Sequence, residues 1–289
     1  MKIAIVGSFT VDVFEGANVP GGPAYYSSVA ASWMGAQPVV YASVGKDFSP
    51  RWLRGLSNIG ADVSQVVVDH KQTTTSFNIS YTPWGRVLKV LSRLDASKYY
   101  EEAQVSEGCA YVSFTFSEAS EGVLKPLLRG TRVCVDAQGF SRGCTKQGVV
   151  EPRAPSLTPG WFETVKISTE DVPGYTEYVD RLVGCGEVKE VVLTSGREAI
   201  NVYSGGWVYR LKPEPVTERH PTGAGDAFGC AYYVSRIRGL SVAESLAAAA
   251  SCASLMVRSK VFPDEFLGSK GEFDLLTAQL ITKVTKRSV

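Results

Sequence analysis

Short apolar runs alternate with helical patterns along the first part of the chain. Lys2 to Val6 is one such run, closed by polar residues, and Pro38 to Val44 is another. Continuous apolar runs of this length predict buried parallel strands. Tyr26 to Met34 and Ser49 to Ile59 carry apolar or small residues at helical spacing. The order predicts a β-α-β-α arrangement in which crossover helices cover a parallel sheet.

Residues 66–95 interrupt this order. Phe77, Ile79 and Tyr81 alternate with polar neighbours, Pro83 to Gly85 supplies a turn, and the chain returns in an extended run to Leu94. Such alternation is typical of an antiparallel hairpin with one solvated face. The segment therefore predicts a small β appendage on an α/β domain.

Further buried strands and a helical end complete the predicted order. A second hairpin surrounds Gly205 and Gly206, and beyond Pro221 the pattern predicts helices only. The last long helix opens with a capping box at Ser241 to Glu244. The additional strands are predicted at 110–114, 132–135, 164–167 and 190–194.

Composition and charge exclude several classes of protein. The 289 residues are 44% hydrophobic and 20% charged, which is enough apolar material for a globular core. Thirty Lys and Arg against 29 Asp and Glu leave a net charge of +1, so no electrostatic feature favours nucleic acid or a membrane surface. No apolar run reaches the roughly 18 residues that cross a bilayer, and no signal-peptide pattern opens the chain, so we expect a cytoplasmic protein. Six scattered cysteines and two histidines favour neither a disulfide framework nor a zinc site.

The segment His220 to Gly229, HPTGAGDAFG, carries the strongest chemical signal. Its turn leaves the amides of Gly223, Ala224 and Gly225 at a helix N-terminus, where the helix dipole adds about half a positive charge. This is a site for an anion, and Asp226 beside it is a candidate base. The glycine spacing fits neither a dinucleotide fingerprint nor a P-loop, and a simple capped turn needs only one glycine. The motif favours phosphoryl transfer to an alcohol.

Two stretches resemble the signatures of the ribokinase-like, or PfkB-type, carbohydrate kinases. Pro221 to Asp226 resembles the family's D-T-x-G-A-G-D signature, while Gly21-Gly22 and Val44 to Asp47 resemble its amino-terminal signature. The resemblance covers almost the whole chain. It implies a single α/β domain over 1–289 with a Rossmann-type three-layer core of about eight mostly parallel strands. It also implies a small β-sheet lid, formed mainly by about 12–24 and 66–95.

The same resemblance implies roles for individual residues. By position, Asp226 is the catalytic base and Gly223, Ala224 and Gly225 form the anion hole. Asp12 holds the substrate hydroxyls, since a carboxylate accepts hydrogen bonds from neighbouring hydroxyls. The loop at Gly21 and Gly22 lies beneath the substrate, because glycine permits close approach.

ATP and Mg²⁺ are implied in the same way. Lys166 to Asp171 occupies the place of the family's N-x-x-E motif but lacks the Asn, so Ser168 substitutes, and Glu170 or Asp171 would hold Mg²⁺ through water. The small-residue face of the last long helix is expected to line the adenine, although such a face also suits close helix packing. The expected nucleotide contacts are Ser168, Thr194, Ser195, Gly196, Thr222, Ser251 and Ser254.

Departures from the ribokinase pattern narrow the range of candidate acceptor substrates. The loop Gly21 to Tyr26 lacks the usual sugar-binding asparagine, which makes ribose a poorer candidate. Val135 to Arg142 resembles the D-x-Q-G-x-x-R stretch of the inositol kinases. Gln138 is then expected to contact the substrate and Arg142 to contact the transferring phosphate, since a guanidinium suits phosphate oxygens. The alternative for Arg142 is a solvated surface arginine.

Taken together, these motifs indicate an ATP-dependent kinase acting on a small sugar or polyol, with myo-inositol as the best candidate. A nucleoside kinase or a sugar-acid kinase of the ketodeoxygluconate type is the alternative. A catalytically silent sensor of sugar or nucleotide is the alternative from another class, motivated by the missing asparagine. The exposed face of the lid is a candidate surface for a homodimer, and the sequence leaves monomer and dimer open.

Overall fold

The computed structural model describes residues 1–14, 16–82, 85–216, 222–258 and 270–289. Its helices are α1 (Pro23–Trp33), α2 (Pro50–Asn58), α3 (Ser97–Glu102), α4 (Glu121–Leu127), α5 (Tyr175–Gly184), α6 (Ala224–Ile237), α7 (Val242–Arg258) and α8 (Lys270–Ile281), with a 3₁₀ turn at Ala137–Phe140. Its strands are β1 (Lys2–Gly7), β2 (Thr10–Phe14), β3 (Ala17–Gly21), β4 (Gln37–Gly45), β5 (Val66–Asp69), β6 (Ser76–Thr82), β7 (Gly85–Ser92), β8 (Cys109–Ser113), β9 (Arg132–Asp136), β10 (Arg142–Cys144), β11 (Val150–Pro152), β12 (Thr164–Ser168), β13 (Glu190–Thr194), β14 (Ile200–Ser204), β15 (Trp207–Leu211) and β16 (Thr285–Ser288).

A central sheet runs through the molecule in the order β16-β15-β14-β13-β12-β9-β8-β1-β4-β5. The strands from β13 to β5 pair in parallel, and β14, β15 and β16 add an antiparallel edge. Within the described residues this sheet has ten strands, compared with the eight or so that the resemblance implied. The predicted α/β class with a mostly parallel sheet is confirmed.

Helices cover both faces of the sheet because each buried strand presents apolar residues to both sides. On β1, Ile3 and Ile5 belong to one core cluster, whereas Ala4 and Val6 belong to the other. Successive side chains of a strand point to opposite faces, so a continuous apolar run requires a layer on each side. Helices α1, α2, α6, α7 and α8 contribute to the first cluster, and α3, α4 and α5 contribute to the second.

A second, four-stranded sheet in the order β3-β2-β6-β7 lies beside the central sheet. Phe77 and Ile79 of β6 are buried with Phe116, which gives this sheet a small core of its own. Residues 66–69, expected in the lid, instead pair in parallel with β4 at the edge of the central sheet. The hairpin proper begins at Ser76, and its predicted turn at Pro83 and Trp84 lies outside the described residues.

The end of the chain corrects the prediction of helices only. Thr285–Ser288 forms β16, which pairs antiparallel with β15, and all of its residues are exposed. The Lys286 ammonium lies 4.1 Å from the ring centroid of Trp207. A strand that buries neither face shows no hydrophobic alternation, so the pattern could not reveal it.

The capping box predicted at the start of α7 is present. The Ser241 amide donates to Glu244 Oε2 at 2.8 Å, and the Glu244 amide donates to Ser241 Oγ at 3.3 Å. These reciprocal bonds satisfy amides that a helix N-terminus leaves unpaired. Across the parts of the chain that the structure describes, every helix is too short or too polar to span a bilayer.

Candidate active site

The carboxyl ends of the central parallel strands meet the N-terminus of α6. Ser113 ends β8, and its hydroxyl donates to Asp226 Oδ1 at 3.4 Å. Asp226 lies in the first turn of α6 and is 8% exposed. Ligands of open α/β sheets bind at this edge, where the strand ends and helix N-termini converge. The structure thus places the predicted base at a strand edge suited to chemistry.

The start of α6 is shaped by Gly223. This residue is the N-cap, with φ of 88° and ψ of −7°, in the left-handed region that favours glycine. A Cβ here would lie 2.3 Å from the ring of Tyr26, so the turn also needs a residue without a side chain. The helix begins at Ala224, and the amides of Ala224 and Gly225 have no acceptor within the helix. His220 and Pro221 of the signature lie outside the described residues.

An ion pair that the sequence reasoning missed lies beneath this helix start. Lys166 Nζ donates to Asp136 Oδ2 at 2.7 Å, and the two side chains are only 3% and 0% exposed. The hydroxyl of Tyr111 lies 3.5 Å from the same oxygen. Burial alone would lower the pKa of Lys166, but the carboxylates of Asp136 and Asp226 outweigh it and raise the pKa. Lys166 is therefore a buried cation. Lys166 precedes the substituted N-x-x-E motif, and its apolar flanks gave no sign of a charged partner.

The predicted acceptor residues meet at the junction of β1 and the small sheet. Asp12 is 4% exposed on β2, and a Cβ on Gly21 of β3 would lie 2.1 Å from its Oδ2. Gly22 has φ of 87° and packs against the Ser8 carbonyl, where a Cβ would lie at 2.5 Å. The structure thus brings Asp12, Gly21 and Gly22 together, with the glycines permitting the close approach.

The amino-terminal signature residue Asp47 ties the small sheet to the central one. Its Oδ1 accepts hydrogen bonds from the Thr74 amide at 2.7 Å and the Thr74 hydroxyl at 2.9 Å. Gly45, at the end of β4, donates its amide to the same hydroxyl at 2.9 Å. A Cβ on Gly45 would lie 2.3 Å from the Thr74 nitrogen, so this join requires glycine. The resemblance to the family's amino-terminal signature singled out Val44 to Asp47. The contacts with Thr74 give a physical reason for the glycine and the aspartate in that segment.

Arg142 is buried, which excludes the alternative of a solvated surface arginine. Its Nε and Nη2 both lie 2.8 Å from Asp171 Oδ1, and its Nη1 donates to the Thr115 carbonyl at 3.4 Å. Gln138, in the same stretch, donates its amide to Asp136 Oδ1 at 3.1 Å and its Nε2 to the Phe114 carbonyl at 3.3 Å. This stretch therefore packs across the ends of β8 and β9.

The predicted phosphate and metal residues lie close together at the ends of β12 and β13. The Glu170 amide donates to Ser168 Oγ at 3.3 Å, and a Cβ on Gly196 would lie 3.4 Å from Glu170 Oε1. Thr194 Oγ1 donates to the Ile167 carbonyl at 3.2 Å, and the Ser195 amide donates to the Ala199 carbonyl at 3.0 Å. Parallel pairing of the two strands places these residues side by side.

The two serines predicted on α7 are less well placed. Ser251 is fully buried, donates to the Ala247 carbonyl at 3.0 Å and lies 3.0 Å from the hydroxyl of Thr277 on α8. Its contacts are those of close helix packing, the alternative reading of this face. Ser254 is 7% exposed on the same helix, and Thr222 is half-buried just before α6.

Comparison with known proteins defines the class. Two solved structures share this fold: a pyrophosphate-dependent kinase of the ribokinase family complexed with a pyrophosphate analog and myo-inositol, and the ribokinase of Arabidopsis thaliana complexed with ribose and ATP. The first has a TM-score of 0.70 at 19% identity, covering 89% of this chain and 95% of the other. The second has a TM-score of 0.66 at 16% identity, covering 96% and 98%. The protein therefore has the ribokinase fold.

Sequence comparison finds a pfkB-type domain and distant relatives. Residues 161–261 match the model described as pfkB family carbohydrate kinase. An inositol 3-kinase of Oryza sativa subsp. japonica is 27% identical over 266 residues, covering 83% of this chain. The matched region spans 64% of that relative's length. The resemblance inferred from the two signatures is confirmed: residues 161–261 carry a pfkB-type domain, and most of the chain is similar to an inositol 3-kinase.

Proposed function

We propose that this protein is an ATP-dependent kinase that phosphorylates a hydroxyl of a small polyol, with myo-inositol as the best candidate. The observation that carries the proposal is the position of Asp226 in the first turn of α6, beside amides that have no acceptor within the helix. The amides of Gly223, Ala224 and Gly225 form an anion cradle. The cradle and the Asp226 carboxylate lie at one strand edge, where they can serve the donor phosphate and the acceptor hydroxyl of a phosphoryl transfer.

In the proposed reaction, Asp226 accepts the proton of the acceptor hydroxyl. The oxygen of that hydroxyl forms a bond to the γ-phosphorus of ATP, while the bond from that phosphorus to the β,γ-bridging oxygen breaks and its electron pair leaves with ADP. The amides at Gly223, Ala224 and Gly225 stabilise the charge on the moving phosphoryl group. Asp12 orients the acceptor by accepting hydrogen bonds from its other hydroxyls.

The residues proposed for the donor side suit a nucleotide with magnesium. Glu170 and Asp171 supply carboxylate oxygens, the ligand type that Mg²⁺ prefers, and Ser168 adds a hydroxyl. The Glu170 carboxylate lies against Gly196, next to the stretch proposed to contact the phosphates. Magnesium, when bound, would neutralise charge on the donor phosphates. The ion pair with Asp171 holds the Arg142 guanidinium beside these donor-side residues. Arg142 would contact the transferred phosphate, because a planar guanidinium suits phosphate oxygens.

The choice of acceptor rests on the stretch from Val135 to Arg142 and on the inositol 3-kinase similarity. A nucleoside or a sugar acid is the second candidate, because the ribokinase fold alone does not select the acceptor. A protein that only senses its ligand would need no carboxylate beside the cradle, which argues against the silent alternative.

A substrate panel tests the proposal directly. Purified protein is incubated with Mg²⁺ and either ATP or pyrophosphate, together with myo-inositol, ribose, ketodeoxygluconate and a set of nucleosides, and products are identified by ³¹P NMR. We expect a phosphomonoester from myo-inositol and ATP. Turnover of a nucleoside or sugar acid instead would support the alternative acceptor. Turnover with pyrophosphate but not with ATP would show that pyrophosphate is the donor. Ligand-induced stabilisation without any product would support the sensor.

The proposal extends to the location of the protein and to its oligomeric state. We propose that this kinase is cytoplasmic, as the sequence led us to expect. The exposed face of the small sheet includes Leu91, which is 53% exposed, and we propose it as the contact of a homodimer. Sedimentation of the wild type and of Leu91→Lys tests this, with dissociation expected only in the variant. A wild type that sediments as a monomer would remove the dimer.

A further inference from the structure

The side chain of Lys166 runs beneath the first two turns of α6. A Cβ built on Gly229 would lie 2.9 Å from Lys166 Cδ, and one built on Gly225 would lie 3.3 Å from its Nζ. The stem therefore passes under Gly229, and the ammonium lies under the N-terminus of the helix. Gly225 belongs to the proposed anion cradle, and Asp226 follows it directly.

The ion pair of Lys166 and Asp136 has its positive end towards the start of α6. Its partner Asp136 ends β9 and is fixed from the other side, with Oδ1 accepting from the Gln138 amide at 3.1 Å and Oδ2 lying 3.5 Å from the Tyr111 hydroxyl. The ammonium, by contrast, lies against Gly225 at the helix start. The positive end of the pair thus faces the cradle and adds to the positive end of the α6 dipole.

Stability alone gives little reason for this pair. A buried ion pair is usually no more stable than apolar residues of similar volume, because desolvation opposes the attraction. Lys166 is 3% exposed and Asp136 is fully buried, so solvent screens the charge on Lys166 weakly. A fixed charge in such surroundings acts strongly on an anion bound nearby.

We infer that Lys166 is a positioning residue of the phosphoryl transfer, whose ammonium, seated under Gly225, strengthens the anion cradle from below. The inference rests on the proposed function and deepens it. Lys166 does not touch the reacting atoms. It acts through the α6 N-terminus by adding positive potential where the donor phosphate would bind.

The test removes the pair without leaving a buried charge unpaired. Lys166→Met alone would strand Asp136, which strongly destabilises a fold, so the decisive protein is the double variant Lys166→Met with Asp136→Asn. The double variant keeps the net charge and nearly the same volumes. The matched control is Arg236→Met with Glu190→Gln, an ion pair of 2.7 Å at the other end of α6.

We expect the double variant to fold, as judged by circular dichroism and a cooperative thermal transition. Its kcat should fall roughly 10- to 100-fold and its KM for ATP should rise, while KM for the acceptor changes little. Its affinity for ATP, measured by calorimetry, should fall about tenfold, equivalent to about 1.4 kcal/mol. The control pair should leave all of these values near the wild type.

The outcomes separate the two proposals. Wild-type kcat and ATP affinity in a folded double variant would show that the pair is only structural and would overturn the inference. If the wild type phosphorylates no acceptor, the proposed function fails, and the ATP affinities of the two double variants still decide the role of Lys166. If the double variant does not fold, Lys166→Gln with Asp136→Asn provides the same measurements with a hydrogen-bonded pair.

Discussion

Asp171 accepts a hydrogen bond from Arg142 Nε on Oδ1 at 2.8 Å, and Arg142 Nη2 lies 2.8 Å from the same oxygen as an ion pair. The guanidinium and the carboxylate are both largely buried, at 5% and 14% exposure of their side chains. Sequence resemblance assigned Arg142 to the transferring phosphate and Asp171 to a metal through water. The structure shows that the two residues form one largely buried ion pair. A substitution of either residue is therefore expected to change the position of the other.

Replacement of Arg142 by Lys is predicted to lower kcat by roughly 10²- to 10³-fold, because an ammonium cannot reproduce the planar fork on phosphate or on Asp171. Steady-state kinetics with ATP and the best acceptor measure the effect. The matched control is Arg153→Lys, a change at an arginine whose side chain is 57% exposed. Equal rates for Arg142→Lys and the wild type would remove Arg142 from the phosphate site.

Replacement of Asp226 by Asn is predicted to lower kcat by roughly 10²- to 10⁴-fold, the usual effect of losing a general base. Binding of ATP and acceptor should change little, since the amide keeps the shape of the side chain. Ser113→Ala should have a smaller, few-fold effect, because its hydroxyl only orients Asp226 Oδ1 from 3.4 Å. Exposed Asp274→Asn serves as control, and a fully active Asp226→Asn protein would refute the assignment.

Substitution of Gly229 by Ala is predicted to destabilise the protein by about 1–3 kcal/mol through overpacking. The new Cβ would lie 2.2 Å from the Tyr111 hydroxyl and 2.9 Å from Lys166 Cδ. Urea unfolding measures the change. Gly184→Ala, on α5 with nothing within 4 Å of its Cβ, should be neutral or slightly stabilising. A stable Gly229→Ala protein would contradict the tight contact between α6 and Lys166.

Glu118 predicts a pH-dependent change in stability. Burial of this carboxyl raises its pKa above the ordinary 4.5, against hydrogen bonds such as that from the Phe116 amide. A raised pKa means that the folded state binds the proton more tightly, so this stabilisation is present below pH 4.5 and lost as pH rises through the folded value.

Glu118→Gln cannot ionise and avoids that loss. Its melting temperature should therefore gain on the wild type as pH rises above 4.5, by a few degrees in all, of the order that 1 kcal/mol produces in a chain of this size. Thermal scans from pH 4 to 8 measure the difference between variant and wild type. Exposed Glu102→Gln is the control and should show no such trend. A constant difference for Glu118→Gln across this range would contradict the effect of burial.

Much of the fold follows from local pattern. Apolar runs such as Lys2 to Val6 identify parallel strands because both faces of those strands are buried. The capping box at Ser241 is also local, and the structure reproduces it. The exposed strand Thr285–Ser288 escaped prediction because it buries neither face, and residues 66–69 were misplaced because an apolar run does not say which sheet it joins.

The candidate site also combines features that follow from local sequence with contacts that only the tertiary structure sets. By itself the sequence determined that a glycine turn and a carboxylate open α6, because helix N-termini and glycine conformations are properties of neighbouring residues. Only the tertiary structure decided that Lys166 pairs with Asp136 from thirty positions away, and that Arg142 is held by Asp171. Ion pairs of this kind depend on which strand ends lie side by side. That is set by the order of strands in the sheet, which no local spacing of residues records.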